Sequence, residues 1–168
     1  MGEKTERPPI SQPVRQDNVV ECAWPEIAQA RYTFGYHVRL RMLYVLGRDA
    51  QGPLLLHEQP FTPAESYLLL PLLWAYPVCC PCKILAAHFQ YQLLSATATQ
   101  LATSEQLLQE AREQDPAEQA IRLVRNVLSR VRVKVQPFGL HVVALLKTGD
   151  VILLRIPFTP PTASREGR

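Results

Sequence analysis

The chain has 168 residues, of which 47% are hydrophobic and 20% charged, and its formal net charge is +3 at pH 7. That length accommodates one domain with terminal extensions, and the apolar fraction excludes a chain that is disordered throughout. The charge is uneven, because residues 117–168 carry nine Lys and Arg against three Asp and Glu. A basic C-terminal third favours a polyanionic partner for that part of the chain.

The two ends of the chain differ in composition from the rest. Residues 1–18 are polar and Pro-rich and predict a disordered arm, and residues 157–168 predict a disordered tail, which leaves residues 19–156 as the domain. The arm contains no apolar run of the kind that a cleavable signal peptide requires. Three of the four cysteines are crowded together, unlike those of a secreted disulfide framework. We therefore expect a cytoplasmic protein.

The segment before the first helix has the pattern of β-strands. Apolar and polar side chains alternate from Tyr36 to Leu46, which predicts one strand with a solvent-facing side. The stretch Gly47–Pro53 is typical of a loop, and Leu54–His57 follows as a short apolar run. We expect the two strands to pair as an antiparallel hairpin.

Two helix starts are marked by their capping residues. Thr62 and Glu65 stand on either side of Pro63-Ala64 in the order of a capping box, with proline at the first helical position. A second helix is predicted from Cys82 to about Tyr91, because Pro81 precedes it where a missing backbone N–H costs nothing.

A run without charge, Tyr67–Cys82, crosses both helices. Its length and apolar character raise the alternative of a membrane segment. It is short for a span, however, and Pro71, Pro77 and Pro81 interrupt it. We therefore predict two short buried helices joined by a proline turn, with no membrane partner.

A long connection separates the second helix from the third. Residues 90–114 are expected to be an insert with a helix of its own, from about Ser104 to Glu113, which is acidic and rich in glutamine. Asp115 then precedes Pro116 as the expected N-cap of the third core helix.

The third helix, Ile121–Val135, has two unlike faces. An apolar stripe with spacings of three and four residues consists of Ile121, Val124, Leu128, Val131 and Val135. The remaining circumference collects Arg122, Arg125, Asn126, Ser129, Arg130 and Arg132. Arginine can fork onto guanine or phosphate and asparagine can pair with adenine, so this face suits the major groove of DNA. A surface for another protein and a merely solvated face are the alternatives.

Two β-rich runs follow the third helix. They are Leu140–Leu146 and Val151–Ile156, and the turn Lys147–Asp150 joins them. We expect a C-terminal hairpin. The predicted fold is therefore α+β, a winged helix-turn-helix with N-terminal antiparallel strands, three core helices, an inserted helix and a hairpin wing.

Four segments between residues 36 and 156 share the order and spacing of one family: Phe61–Glu65, the aromatic and leucines at Tyr67, Leu69 and Leu70, the helix end Ser129–Val135, and the wing segment Gly149–Leu153. Through these segments, roughly residues 36–156 resemble the C-terminal DNA-binding (effector) domain of OmpR/PhoB-type response regulators. The N-terminal residues do not suffice for a receiver domain, so the resemblance implies a stand-alone regulator without phosphorylation input. The wing departs from the family at Leu146 and Asp150, and a carboxylate at its tip would repel phosphate.

The resemblance implies a sequence-specific regulator of transcription that binds double-stranded DNA as a dimer on repeated half-sites. We expect Arg122, Asn126 and Ser129 to face bases, while phosphates are contacted by Arg125, Arg130 and Arg132, with Lys134 and Lys147 as further candidates. The alternative is a winged-helix protein-interaction module without DNA binding. In either case the insert at 90–114 could contact RNA polymerase or another protein.

The cysteines allow a second alternative. Cys79 and Cys82 have the spacing of a metal or redox pair, with Cys22 or His88 as further ligands. Buried cysteines also serve as small apolar filler, which is the interpretation we favour. The sequence shows no nucleophile elbow and no Gly-rich phosphate loop, so we expect neither an enzyme nor a cofactor.

Overall fold

The computed structural model describes residues 15–16, 19–22, 32–92, 106, 109–110, 112–113, 118–145 and 149–155. Within these ranges the protein is an α+β fold with two antiparallel sheets and three bounded α-helices. The predicted tail and residues 1–14 of the predicted arm lie outside the described residues. Arg15 and Gln16, which fall within the predicted arm, belong to a strand that pairs with Val19 and Val20.

The N-terminal sheet has five strands that neighbour one another in chain order. They are β1 (Arg15–Gln16), β2 (Val19–Cys22), β3 (Tyr32–His37), β4 (Met42–Asp49) and β5 (Gly52–Pro60). Every neighbouring pair is antiparallel. One face of β3 and β4 supplies large side chains to the core, among them Phe34, Tyr36, Leu43 and Val45.

The single strand predicted for Tyr36–Leu46 is wrong, because a turn divides it. His37 pairs with Met42 at the end of the β3–β4 ladder, and the four residues between them form the turn. The turn is closed by Arg41 N–H donating to the carbonyl of Val38 at 3.2 Å, and Arg41 has a positive φ of 51°. Alternating polarity continues through these residues, so the pattern alone gave no sign of a reversal.

The hairpin of β4 and β5 confirms the predicted antiparallel pairing, with a tighter connection than expected. Only Ala50 and Gln51 lie between the strands. Asp49 Oδ1 accepts hydrogen bonds from the N–H groups of Gln51 and Gly52 at 2.8 and 3.0 Å. Gly52 has φ 131°, a conformation that a side chain would strain.

The helices are α1 (Pro63–Ala75), α2 (Cys82–Gln90) and α3 (Glu118–Val135). Both hydrogen bonds of the predicted capping box at Thr62 and Glu65 are present. The proline turn after Ala75 and the predicted start of α2 are confirmed as well. No helix in the described part of the chain is long and apolar enough to cross a membrane.

A second sheet has three strands in the order β6-β8-β7, of which β6 lies between α1 and α2 in the chain and the other two follow α3. Its strands are β6 (Cys80–Pro81), β7 (Leu140–Leu145) and β8 (Asp150–Arg155). A 3-10 turn, Gln136–Phe138, and Gly139 with φ 71° lead from α3 into β7. The β7–β8 pairing confirms the C-terminal hairpin, and residues 146–148 of its turn lie outside the described residues.

One hydrophobic cluster joins both sheets and all three helices. It includes Phe34 and Tyr36 from the first sheet, Leu68 and Leu69 from α1, and Leu85 from α2. From the C-terminal part it takes Val131 of α3, Phe138, and Leu140 and Leu153 of the hairpin. Because this cluster is shared, α3 is held between α1 and the hairpin rather than projecting alone.

Most of the predicted insert at 90–114 lies outside the described residues, and so does Asp115, the expected N-cap of α3. The residues described between 106 and 113 are helical and exposed, in agreement with the expected extra helix. Lys83 Nζ donates to the carbonyl oxygen of Arg112, which ties this segment to the first turn of α2.

Candidate functional site

The apolar side of α3 is buried as its spacing predicts. Val124, Val131 and Val135 are completely inaccessible, and Leu128 is 6% exposed. Ile121, at the start of the stripe, is only half-buried. Val127 also faces the core, so the buried side is wider than the predicted stripe.

The opposite side of α3 is open to solvent. All six residues of the predicted polar face are exposed, and we call them the basic face: Arg122, Arg125, Asn126, Ser129, Arg130 and Arg132. At about 100° per residue, Arg122, Asn126 and Ser129 form its central line. Arg125 and Arg132 fall on one flank of that line and Arg130 on the other, so positive charge lies on both sides of three hydrogen-bonding side chains.

Intramolecular contacts leave most of this face available. Arg122 meets Glu118 at 3.3 Å, but both side chains are more than 70% exposed, and such a surface pair is weak. Ser129 Oγ donates to the carbonyl of Arg125 at 3.0 Å, so its hydroxyl oxygen can still accept. Arg132 Nε donates to the carbonyl of Val142 at 3.0 Å, which links the helix to β7.

Lys134 differs from the basic face in that its ammonium group is paired with a buried carboxylate. Its Nζ lies 2.7 Å from Oε2 of Glu65 and 3.3 Å from the carbonyl oxygen of Pro60. It also stands over the ring of Phe61, 5.4 Å from the centroid. A half-buried ammonium with these contacts is positioned to hold α3 against α1, and we leave it out of the candidate interface. Lys147 lies outside the described residues.

Asp150 does not project from the hairpin tip as a free carboxylate. It is half-buried in β8, opposite Leu145 on one side and Pro81 on the other. Its neighbour Gly149 accepts a hydrogen bond from Cys82 N–H at 3.2 Å, which places Asp150 beside the start of α2. A helix N-terminus is a favourable environment for a negative charge.

The cysteines near α2 are free thiols, of which Cys80 is buried and Cys79 and Cys82 are half-buried. Burial, together with the nearby Cys82 and Asp150, raises the pKa of Cys80 to about 12. Burial also raises the pKa of Cys82, although the charge of Arg125 opposes that effect. Thiols with raised pKa values are poor nucleophiles and metal ligands at neutral pH. Among the described residues, no three His, Cys, Asp or Glu side chains converge as a metal site.

One apolar residue on the outer side of α3 was not singled out by the sequence pattern. Val133 is 66% exposed and lies on the central line, four residues beyond Ser129. Its position is visible in the sequence, because Arg122, Asn126, Ser129 and Val133 follow one another at helical spacing.

Comparisons of the chain with models of protein families, with curated proteins and with solved structures find no match.

Proposed function

We propose that this chain binds double-stranded DNA as a winged helix-turn-helix regulator of transcription, with α3 in the major groove. The order of elements supports the proposal, since α1, α2 and α3 precede the β7–β8 hairpin and β6 adds a third strand to it. Three helices followed by a hairpin is the order expected from the resemblance to OmpR/PhoB effector domains, whereas the pairing of β6 with the hairpin was not predicted. In this assignment α3 is the recognition helix and the hairpin is the wing.

The observation that carries the proposal is the exposed basic face of α3. Asn126 and Ser129 offer hydrogen bonds to base edges, and Arg122 can fork onto guanine. Arg125, Arg130 and Arg132 on the flanks would contact phosphates on either side of the groove. Because the opposite side of α3 is packed in the core, the helix is already ordered before it meets DNA. Binding therefore carries no entropic cost of forming the helix.

The first test is the salt dependence of binding to a random-sequence duplex, measured by fluorescence anisotropy. Three phosphate-contacting arginines predict a slope of log K against log salt of about −3. Arg132→Ala should reduce the magnitude of that slope by about one and weaken all duplexes alike. Arg48→Ala removes an exposed arginine from β4 and serves as the matched control, with no expected change in slope.

A second test concerns sequence preference. The unaltered protein should bind duplexes that it selected from a random pool more tightly than the pool itself. In the Asn126→Ala variant this difference in affinity should shrink. A direct base contact predicts a loss of about 1–3 kcal/mol at one position of the site. Equal selectivity of the Asn126→Ala variant would mean that Asn126 does not read bases.

The second candidate function is a protein-interaction module of the same fold. Two observations favour it: Leu123 and Val133 expose 46% and 66% of their surface on α3, and the described helical residues of the insert are also exposed. RNA polymerase is one partner that the insert could contact. Binding to no duplex even below about 50 mM salt, or affinity that ignores salt, would exclude the DNA proposal and leave this module as the assignment.

Dimerisation on repeated half-sites belongs to the same proposal. Duplexes that carry two copies of a selected half-site, about one helical turn apart, should bind two chains with higher affinity than single half-sites. Stoichiometry from analytical ultracentrifugation of the complex measures this directly. One chain bound per double site at saturation would contradict the dimer.

A further inference from the structure

Val133 is an apolar side chain in the middle of the outer side of α3. Its exposure of 66% is the largest among the exposed large hydrophobic residues of the described chain. A β-branched residue is also a weaker helix former than the lysine or arginine that surrounds it in sequence. Helix propensity therefore disfavours valine at this position, and its exposure leaves the side chain accessible to a partner.

The position of Val133 along the helix is specific. Arg122, Asn126, Ser129 and Val133 are spaced by four, three and four residues, so their side chains share an arc of about 60° on the helix surface. They span about 17 Å along the axis at 1.5 Å per residue. A helix lying along the major groove would present all four to the same row of base pairs.

The two neighbours of Val133 fix its direction. Arg132 Nε is bound to the carbonyl oxygen of Val142 in β7, and Lys134 Nζ is bound to Glu65 at the start of α1. These contacts hold the last turns of α3 from opposite sides. Val133 is thereby held outward, with little freedom for the helix to rotate it toward the core.

The chemistry of the major groove offers one apolar feature to such a side chain. Each base pair presents donors and acceptors there, and thymine adds its C5-methyl group. Valine has no hydrogen-bonding group, so it cannot distinguish the polar edges that Asn126 and Arg122 can read. We infer that Val133 is a specificity-determining residue that contacts a thymine methyl group, an inference that rests on the proposed binding of DNA by α3.

The test uses the full chain and a duplex selected by it from a random pool. Each thymine of the selected site is replaced singly by deoxyuridine, which removes only the methyl group. Loss of one methyl contact corresponds to about a fourfold loss of affinity. We expect one deoxyuridine replacement to weaken DNA binding by the unaltered protein by that factor. The Val133→Ala variant should bind the thymine duplex and that deoxyuridine duplex with equal affinity.

Leu123→Ala is the matched control, because Leu123 is also an exposed apolar residue of α3 but lies off the central line. This variant should keep the fourfold preference for thymine over deoxyuridine. Circular dichroism of both variants checks that α3 is intact, which is expected because alanine favours helix.

The outcomes separate the inference from the function on which it rests. If the unaltered protein binds no duplex, the DNA-binding proposal itself fails. If it binds DNA but no single deoxyuridine matters, or if Val133→Ala keeps the preference, only the reading of thymine by Val133 is overturned. A Val133 substitution that weakens a protein complex and leaves DNA binding unchanged also overturns it, in favour of a protein contact.

Discussion

Lys134 in the last turn of α3 and Glu65 in the first turn of α1 form an ion pair, with Nζ 2.7 Å from Oε2. The carboxylate is 2% exposed, whereas the lysine side chain is 29% exposed. Glu65 also accepts from Thr62 N–H at 2.8 Å, so one side chain caps α1 and fixes α3 at the same time. The orientation of the candidate DNA-binding helix thus depends on the N-terminus of a different helix.

Removing the lysine should be costly, because it leaves a buried carboxylate without its charged partner. We expect Lys134→Met to lower the free energy of unfolding by about 2–3 kcal/mol, below the usual figure for a fully buried pair since the lysine is partly solvated. Urea denaturation measures the change. The double variant Lys134→Met/Glu65→Gln should recover part of the loss, and Arg130→Met, on the exposed face, should stay within about 0.5 kcal/mol of the unaltered protein.

The same pair predicts a loss of stability in acid. Burial acts to raise the pKa of Glu65, but the hydrogen bonds from Lys134 and Thr62 outweigh it and the net pKa lies below its ordinary value of 4.5. As the pH falls, the Glu65 carboxylate is therefore protonated in the unfolded chain before it is protonated in the folded one. The stability that this ionised carboxylate contributes is lost as the pH falls below about 4.5. Denaturation midpoints across this range should fall less steeply for Glu65→Gln. A parallel decline in both proteins would contradict the assignment.

Tyr36 predicts a loss of stability at the other end of the pH scale. Burial raises the pKa of Tyr36 from 10.0 to about 12. The 2.7 Å hydrogen bond from its hydroxyl to Ser66 Oγ lowers the pKa, but by less than burial raises it. Between pH 10 and 12 the unfolded chain releases this proton and the folded chain keeps it, so stability falls as the pH rises. Tyr36→Phe should show a smaller decline, and should cost about 1 kcal/mol at neutral pH through the lost hydrogen bond.

Gly35 is predicted to tolerate no side chain, because the ring of Tyr44 on the neighbouring strand covers it. A Cβ at this position would lie 2.2 Å from Tyr44 Oη and 2.3 Å from Cζ. Gly35→Ala should therefore destabilise the first sheet by about 1–3 kcal/mol, measured by thermal or urea unfolding. In a Tyr44→Ala background the same substitution should cost clearly less. Equal costs in both backgrounds would show that the ring is not the obstacle.

The helices were largely predictable because their signals are local. A capping box needs only Thr62 and Glu65, three residues apart, and its hydrogen bonds form within one turn. The buried side of α3 follows in the same way from the 3.6-residue period, although Val127 widens it beyond the expected stripe.

The strands were less predictable, because a turn can interrupt an alternating pattern without changing it. Val38 and Leu40 continue the alternation into the turn between β3 and β4, yet Val38 is 6% exposed and Leu40 59% exposed. Cys80-Pro81 was expected to be only a helix start, and it also pairs with Val151 and Asp150 of β8. Such pairing depends on segments far away in sequence, which period and composition do not reveal.

The starts of α1 and α2 and the apolar side of α3 could be predicted from the sequence, because they follow from hydrogen bonds and side-chain spacing within a few turns. The pairing of Lys134 with Glu65 could not, since the two residues are 69 positions apart and meet only through the packing of α3 against α1. The fold likewise decided that Arg132 and Lys134 are anchored on either side of Val133. A helical pattern assigns each residue to a face, whereas the neighbours of that face are set by how the elements pack.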